Sequence, residues 1–264
     1  MHTCVLSIAG SDSGAGAGIQ ADLKTMAAQG VYGLTVVTAV TAQNTTGVAG
    51  VQLMPVEMVQ AQIDAVAQDF EIAAVKTGML GNAAIIETVA EKIKEYNLKK
   101  TVVDPVMVAK SGDSLLEEDA QAAFKEKRFP CSLMITPNVP EAELLTGVTI
   151  KSLEDMKESA QILKGMGSLY VLLKGGHMER KGEVTDLLFD GEQYYLYTAR
   201  RVESENNHGT GCTFASAIAS YLALGFPPPV AVYKARSYLQ HIMYCGLNLG
   251  RGRGPLNHLA WQEV

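Results

Sequence analysis

The chain has 264 residues, of which 47% are hydrophobic and 19% are charged, whereas about 25% of a typical soluble protein is charged. A chain of this length and apolar content can bury a large core, which excludes disorder and a coiled coil. The net charge of -6 excludes nucleic acid as a partner, because such proteins need a basic surface.

Two long segments, residues 25–56 and 209–233, contain no charged residue. Both exceed the roughly 20 residues that a membrane helix needs. However, the first is rich in Thr, Gln, Asn and Gly, and the second is interrupted by Gly225 and by the prolines at 227–229. We therefore predict buried strands and helices and no membrane span. No signal peptide is predicted, and four scattered cysteines without a C-x-x-C pair favour a cytoplasmic protein.

Short apolar runs alternate with amphipathic segments along the chain. The predicted strands are residues 5–9, 35–40, 72–76, 101–106, 132–136, 170–174, 185–189 and 193–197. The predicted helices are residues 18–29, 57–70, 82–96, 117–127, 140–146, 153–166, 210–224 and 230–247. Asp190-Gly191-Glu192 predicts a hairpin between the last two strands. This order predicts one α/β domain, residues 1–264, with a mainly parallel sheet.

Glycine and polar residues follow six of the predicted strands. They are residues 10–14, 41–44, 77–79, 104–107, 136–138 and 174–177. Because the carboxyl ends of parallel strands meet at one edge of a sheet, we expect the ligand site there.

The segment G-S-D-S-G-A-G-A-G after the first strand is glycine-rich but matches no common nucleotide motif. Ile19 stands where G-x-G-x-x-G requires its third glycine, no Gly-Lys dipeptide provides a Walker A loop, and Asp12 occupies the serine position of G-x-S-x-G. From these residues alone, a flexible β–α turn and a ligand loop are equally good interpretations.

The segment N-H-G-T-G-C-T, which begins at Asn207, leads into an uncharged predicted helix. Its glycines allow a ligand to approach the backbone, and the unpaired N–H groups of the first turn can bind an anion. Such a hole suits the charge on a transferred phosphoryl group. Cys212 falls in this first turn, where we expect the helix dipole to lower the pKa of its thiol. A buried structural cysteine is the alternative.

Five blocks, in the same order along the chain, together carry a resemblance that covers nearly the whole chain. They are G-S-D-S-G-A-G-A-G-I-Q-A-D, D-P-V-M-V-A-K-S-G-D, T-P-N-x-P-E-A, K-G-G-H and G-T-G-C. The sequence resembles the ribokinase-like superfamily and, more narrowly, the hydroxymethylpyrimidine/phosphomethylpyrimidine kinases. This resemblance implies an α/β/α sandwich of three layers with a mainly parallel sheet and no separate lid domain. Cys212 stands where the wider superfamily has an aspartate base.

The resemblance also implies a role for each of several residues. Cys212 would take up or orient the proton of the substrate hydroxymethyl group, and Lys174 would neutralise phosphate oxygens. The anion hole would consist of Gly209, Thr210 and Gly211. The shell of the nucleotide and of Mg²⁺, which is held through phosphates and water rather than by a protein cage, would include Asp104, Asn138 and Glu141. Asn138 also fits a helix cap.

For the acceptor substrate, the resemblance implies a pocket near the first two strand ends. The candidates to bind it are Gln43, Asp22, Asp12, Gly10, Met79 and Val106. Gln43 offers a donor and an acceptor that match an aminopyrimidine edge, whereas the apolar candidates could also be ordinary core. Residues 108–116 resemble a mobile flap over the site.

The resemblance implies an enzyme that uses ATP and Mg²⁺ to phosphorylate 4-amino-5-hydroxymethyl-2-methylpyrimidine and then its monophosphate, in thiamin biosynthesis. It also implies a cytoplasmic homodimer. A pyridoxal kinase with the same apparatus is the nearest alternative, because pyridoxal also carries a ring hydroxymethyl group. A non-catalytic binding protein on the same fold is an alternative of another class.

Overall fold

The computed structural model describes residues 2–106, 123, 124, 126, 129–177 and 182–261. The strands are β1 (Cys4–Asp12), β2 (Tyr32–Asn44), β3 (Gly47–Leu53), β4 (Ile72–Thr77), β5 (Thr101–Val103), β6 (Met134–Ile135), β7 (Tyr170–Leu173), β8 (Glu183–Phe189) and β9 (Tyr194–Arg200). The α-helices are α1 (Gly18–Ala28), α2 (Val56–Asp69), α3 (Ala83–Glu95), α4 (Val139–Thr146), α5 (Leu153–Gly165), α6 (Thr210–Ala223) and α7 (Pro228–Tyr244).

The nine strands form one sheet in the order β3-β2-β1-β4-β5-β6-β7-β8-β9. The six strands from β2 to β7 in this order are parallel, whereas β3, at one edge, and the β8–β9 hairpin, at the other, are antiparallel to their neighbours. The parallel strands therefore direct six carboxyl ends to one edge, as the alternation of strands and helices predicts.

Two hydrophobic cores lie on opposite faces of the sheet. One packs α2, α3, α4 and α5 against side chains such as Leu6 and Ile8 of β1. The other packs α1, α6 and α7 on the opposite face, where it meets Val5 of the same strand. Alternate β1 side chains thus enter different cores, as expected for a strand buried on both faces. The predicted three-layer α/β/α sandwich is confirmed.

Most predicted elements are found, with ends that move by a few residues. The largest difference is β3, which was not predicted. Its side chains are exposed along almost the whole strand, so neither a continuous apolar run nor an alternation marks it. Most of the predicted helix 117–127 and the proposed flap 108–116 lie outside the described residues. Among the residues that the structure does describe, no helix is both long and apolar enough to cross a bilayer.

Candidate active site

No side chain caps the start of α6, whereas Asn82, Asn138 and Ser152 cap α3, α4 and α5. Its N-cap residue, Gly209, has a φ of +82° and the first turn contains no acidic residue. A Cβ atom at this position would collide with the carbonyl oxygen of Gly16, so only glycine fits the conformation and the contact. The N–H groups of Gly209, Thr210 and Gly211 at this helix start have no acceptor within the helix and can therefore face an anion.

An ion pair stands directly beside this helix start. Lys174, which follows β7, places its Nζ 2.7 Å from Asp104 Oδ1, and the two side chains are 14% and 3% exposed. A Cβ atom built on Gly211 would lie 3.3 Å from Asp104 Oδ2 and 3.6 Å from Lys174 Nζ. The structure therefore brings the predicted lysine, aspartate and glycine-rich turn into one cluster. We call Lys174 and Asp104 the rim pair.

Asn138 and Glu141 form the N-terminal cap of α4. The Asn138 side chain accepts a hydrogen bond from the Glu141 N–H at 2.9 Å, and Glu141 Oε2 accepts one from the Asn138 N–H at 2.8 Å. This capping box fixes both side chains at the carboxyl edge of the sheet. Glu141 also interacts electrostatically with Lys174 and, with Asp104, keeps the pKa of that ammonium above its ordinary value despite burial. The predicted cap is confirmed.

Asp12 shapes the glycine-rich loop. Its carboxylate accepts hydrogen bonds from the N–H groups of Gly14, Gly16 and Ala17 and lies 2.8 Å from His208 Nε2. Burial raises the pKa of Asp12, but the bonds from His208 and the loop amides outweigh it and leave the pKa below its ordinary value. These four donors hold a carboxylate that is 2% exposed, and its role toward the substrate stays a prediction.

Asp22 lies beneath the site in a fully buried ion pair. Its two oxygens lie 2.8 and 2.9 Å from Lys76 Nζ, and the hydroxyls of Ser7 and Ser216 each donate to it at 2.6 Å. Both charged side chains are 0% exposed. We call Asp22 and Lys76 the buried pair. These three donors surround its carboxylate, and its role toward the substrate stays a prediction.

Cys212 is partly exposed in the first turn of α6. The expectation that its pKa falls below the ordinary value is wrong. Burial raises the pKa of the thiol, and the nearby carboxylates of Asp22 and Asp104 add to this effect. Lys76 and the backbone N–H of Gly18, which donates to the sulfur, act in the opposite direction without reversing the shift. Of the groups near Cys212, Lys76 and the Gly18 N–H therefore favour its thiolate form.

The predicted acceptor residues lie at the ends of neighbouring strands. Gln43 places its side-chain nitrogen 3.3 Å from His208 Nε2 and its oxygen 3.1 Å from the Thr41 hydroxyl. A Cβ atom on Gly10 would lie 3.1 Å from the methyl group of Met79, so these two residues are in contact. Val106 follows β5, where its N–H donates to the Asp104 carbonyl at 2.9 Å. His208, which precedes α6, lies 2.8 Å from Asp12 Oδ2 and so connects this helix start to the glycine-rich loop.

Lys76 is the residue of this cluster that the sequence analysis missed. A lysine at the end of β4, in the otherwise apolar run I-A-A-V-K-T, is the signal that could have found it. Lysine is rarely buried unless it is paired, so its position in a core strand points to a buried acidic partner.

A nucleotide and a hydrated divalent cation fit the side chains at this edge. The uncapped helix and Lys174 suit phosphate oxygens, and the carboxylates of Asp104 and Glu141 suit a cation and its water shell. No group of three or more His, Cys, Asp or Glu side chains within the described part of the chain is arranged to hold a metal ion directly.

Comparison with known proteins gives a consistent result. The family model described as phosphomethylpyrimidine kinase matches residues 12–257. A hydroxymethylpyrimidine/phosphomethylpyrimidine kinase of Bacillus subtilis is 50% identical over 258 residues, which cover 98% of this chain and 95% of the relative. A thiamine biosynthesis bifunctional protein of Geobacter sulfurreducens is also 50% identical, and this chain spans about half (53%) of its length. The structure of a Staphylococcus aureus pyridoxal kinase with AMP-PCP and pyridoxal has a TM-score of 0.90 at 35% identity, covering 99% of this chain and 95% of that one.

Proposed function

Because this chain belongs to the phosphomethylpyrimidine kinase family, we propose that it transfers the γ-phosphoryl group of ATP to 4-amino-5-hydroxymethyl-2-methylpyrimidine. The monophosphate would then be a second acceptor, as the double name of the relatives indicates for those proteins. The observation that carries the proposal is Cys212 in an uncapped helix turn beside the rim pair.

The anion hole binds the phosphoryl group during transfer. The N–H groups of Gly209, Thr210 and Gly211 would face its oxygens, and Lys174 would neutralise the charge that develops on them. Positioning and charge stabilisation of this kind supply most of the rate in phosphoryl transfer. Asp104, 2.7 Å from the lysine, holds that ammonium at the helix start.

Magnesium would supply further neutralisation of the triphosphate charge. Its water molecules would be held by Asp104, Asn138 and Glu141. The capping box already uses Asn138 Oδ1 and Glu141 Oε2 for backbone contacts, which leaves these atoms less able to bind the ion directly. These residues would therefore orient a hydrated ion rather than enclose it, and the phosphates would be its direct ligands.

Cys212 acts as the base for the acceptor hydroxyl. Its sulfur takes the proton of the hydroxymethyl group, the oxygen forms a bond to the γ-phosphorus, and the bond from that phosphorus to the ADP oxygen breaks. In the second reaction a phosphate oxygen of the monophosphate takes the place of the hydroxyl. No water needs to enter, since the acceptor itself is the nucleophile.

The acceptor ring would lie between Gln43 and the contact of Gly10 with Met79, close to Val106. The amide of Gln43 offers both a donor and an acceptor, which matches the ring nitrogen and exocyclic amine of an aminopyrimidine. The Thr41 hydroxyl donates to the amide oxygen at 3.1 Å, which orients the amide.

A pyridoxal kinase remains the second candidate. The likeness to a kinase solved with pyridoxal favours it, and pyridoxal would present its hydroxymethyl group to the same cysteine. The two candidates differ in the ring edge that Gln43 meets, because pyridoxal has a phenol and an aldehyde where the pyrimidine has an amine.

Side-by-side kinetics with the pyrimidine alcohol, its monophosphate and pyridoxal test the proposal. We expect saturable, ATP-dependent turnover of both pyrimidines at a higher kcat/KM than pyridoxal. Saturable turnover of pyridoxal with none of either pyrimidine would establish the second candidate instead. Loss of only the monophosphate reaction would restrict the proposal to the first step.

We also propose that residues 1–264 act as one kinase domain in the cytoplasm and as a homodimer. Four free cysteines suit a reducing compartment. The exposed edge strand β3, with Val48 and Val51 each 51% exposed, offers a surface for a second copy. Light scattering of the purified chain tests the dimer, and a monomeric mass at micromolar concentration would reject it.

A further inference from the structure

The buried pair is an unusual feature to find beneath this site. Lys76 and Asp22 are both 0% exposed. The free energy lost when two charges are removed from water often exceeds the free energy gained from their attraction. Replacement of a buried ion pair by apolar residues of similar volume often leaves stability unchanged or raises it. A pair retained in such a place therefore calls for an explanation other than stability.

The buried pair is linked directly to the helix that carries Cys212. Ser216 lies one helical turn after Cys212 on α6, so the two side chains share a face of the helix. The Ser216 hydroxyl donates to Asp22 at 2.6 Å, and Asp22 in turn holds Lys76. The position of Lys76 relative to the Cys212 thiol is thus fixed jointly by α1, β4 and α6.

Four charged groups from four parts of the fold act on the Cys212 thiol. Lys76 and Asp22 act from below, and Asp104 acts from the rim. Lys174 lies on the rim as well and interacts with the same thiol. Of the two cations, Lys174 is 14% exposed beside the helix start and is paired with Asp104, whereas Lys76 is fully buried.

We propose that Lys76 is a positioning residue that stabilises the thiolate of Cys212, and that Asp22 serves to hold this ammonium in place. The inference rests on the proposed role of Cys212 as base. During transfer the acceptor proton reaches the sulfur as the P–O bond forms, and a fixed positive charge beneath the sulfur favours its deprotonated state before that step.

The pH dependence of Cys212 alkylation by iodoacetamide tests this role without catalysis. The rate is measured on the intact protein, without nucleotide, by mass spectrometry of the peptide that contains Cys212. We expect Lys76→Met to raise the pH midpoint by about one unit, because a nearby opposite charge shifts a pKa by about 1–3 units. The exposed Cys245 provides a reference in the same sample, and its midpoint should not move.

Two further variants separate the electrostatic effect from damage to the fold. Lys76→Met/Asp22→Asn replaces the ion pair by neutral groups, and should also raise the midpoint. Lys92→Met is the matched control, since Lys92 forms a comparable 2.8 Å pair with Asp64 outside the site, and should leave it unchanged.

The outcomes distinguish this inference from the proposed function. A folded double variant with the wild-type midpoint would overturn the role of Lys76, whatever substrate the enzyme uses. Loss of folding in the double variant would also overturn it, because the pair would then be needed for the fold. Turnover of pyridoxal alone would change the substrate but leave the alkylation result intact.

Discussion

Two lysine–aspartate pairs flank Cys212, and they differ in what surrounds them. The rim pair, Lys174 and Asp104, lies beside the open helix start and retains 14% exposure at the lysine. The buried pair, Lys76 and Asp22, has no exposure and is enclosed by the hydroxyls of Ser7 and Ser216. The same two residue types thus lie beside an open helix start in one place and are fully enclosed by the protein in the other.

The largest effect is expected for the residue between the pairs. Cys212→Ala should lower kcat by about 10²–10⁴-fold, the range of a general base, while nucleotide affinity changes little because the glycine amides and Lys174 remain. Steady-state kinetics and ADP titration measure the two quantities. Turnover close to wild type would show that Cys212 is not the base, and only the rim pair would then contribute to catalysis.

Removal of one partner should lower the free energy of unfolding more at the buried pair than at the rim pair. Lys76→Met should lower the free energy of unfolding by about 3–5 kcal/mol, because it leaves a buried charge uncompensated. Lys174→Met should cost less, since the Lys174 side chain is 14% exposed and water can take the place of its ammonium beside Asp104. Urea unfolding of both variants compares them directly. Equal losses would show that exposure does not separate the two pairs.

The rim pair should contribute more to turnover. Lys174→Met should lower kcat by about 10²–10³-fold, as expected for the removal of one stabilising group from a charge-developing site. Its fold should survive, which circular dichroism can verify. A variant that keeps its kcat and raises only the KM for ATP would indicate that Lys174 binds the ground state rather than the transferred group.

A smaller effect is expected at the neighbouring helix start. Asn138→Ala removes the cap of α4 and should lower the free energy of unfolding by about 1 kcal/mol. If Asn138 also orients magnesium water, the variant should need more Mg²⁺ for half-maximal activity. An unchanged Mg²⁺ dependence would limit Asn138 to its capping role.

The sequence predicts the rim of the site better than the layer beneath it. Gly209, Lys174 and Asp104 follow strands or precede a helix, and parallel topology alone brings such positions to one edge. Asp22 and Asp12 are expected near the substrate only from the family resemblance, which does not reveal the contacts they make within the protein. Their hydrogen-bond partners, Lys76 and His208, come from distant parts of the chain, which no local pattern reveals.

The same reason explains the misjudged cysteine and the missed strand. The dipole of α6 favours a thiolate, but burial and two carboxylates that the fold brings near Cys212 raise the pKa of the thiol instead. Strand β3 is held by its pairing with β2 rather than by burial, so hydrophobic periodicity does not mark it. Local sequence patterns locate strands and helices, whereas the electrostatic environment of a side chain depends on its neighbours in the folded structure.

The pH dependence of kcat for the pyrimidine alcohol, compared between the wild type and Cys212→Ala, tests the central claim most directly. A base is active when deprotonated, and the pKa of this thiol is raised, so wild-type kcat should increase with pH into the alkaline range. The residual activity of Cys212→Ala should lack this increase. The same rising limb in both proteins would contradict the assignment of Cys212 as the base.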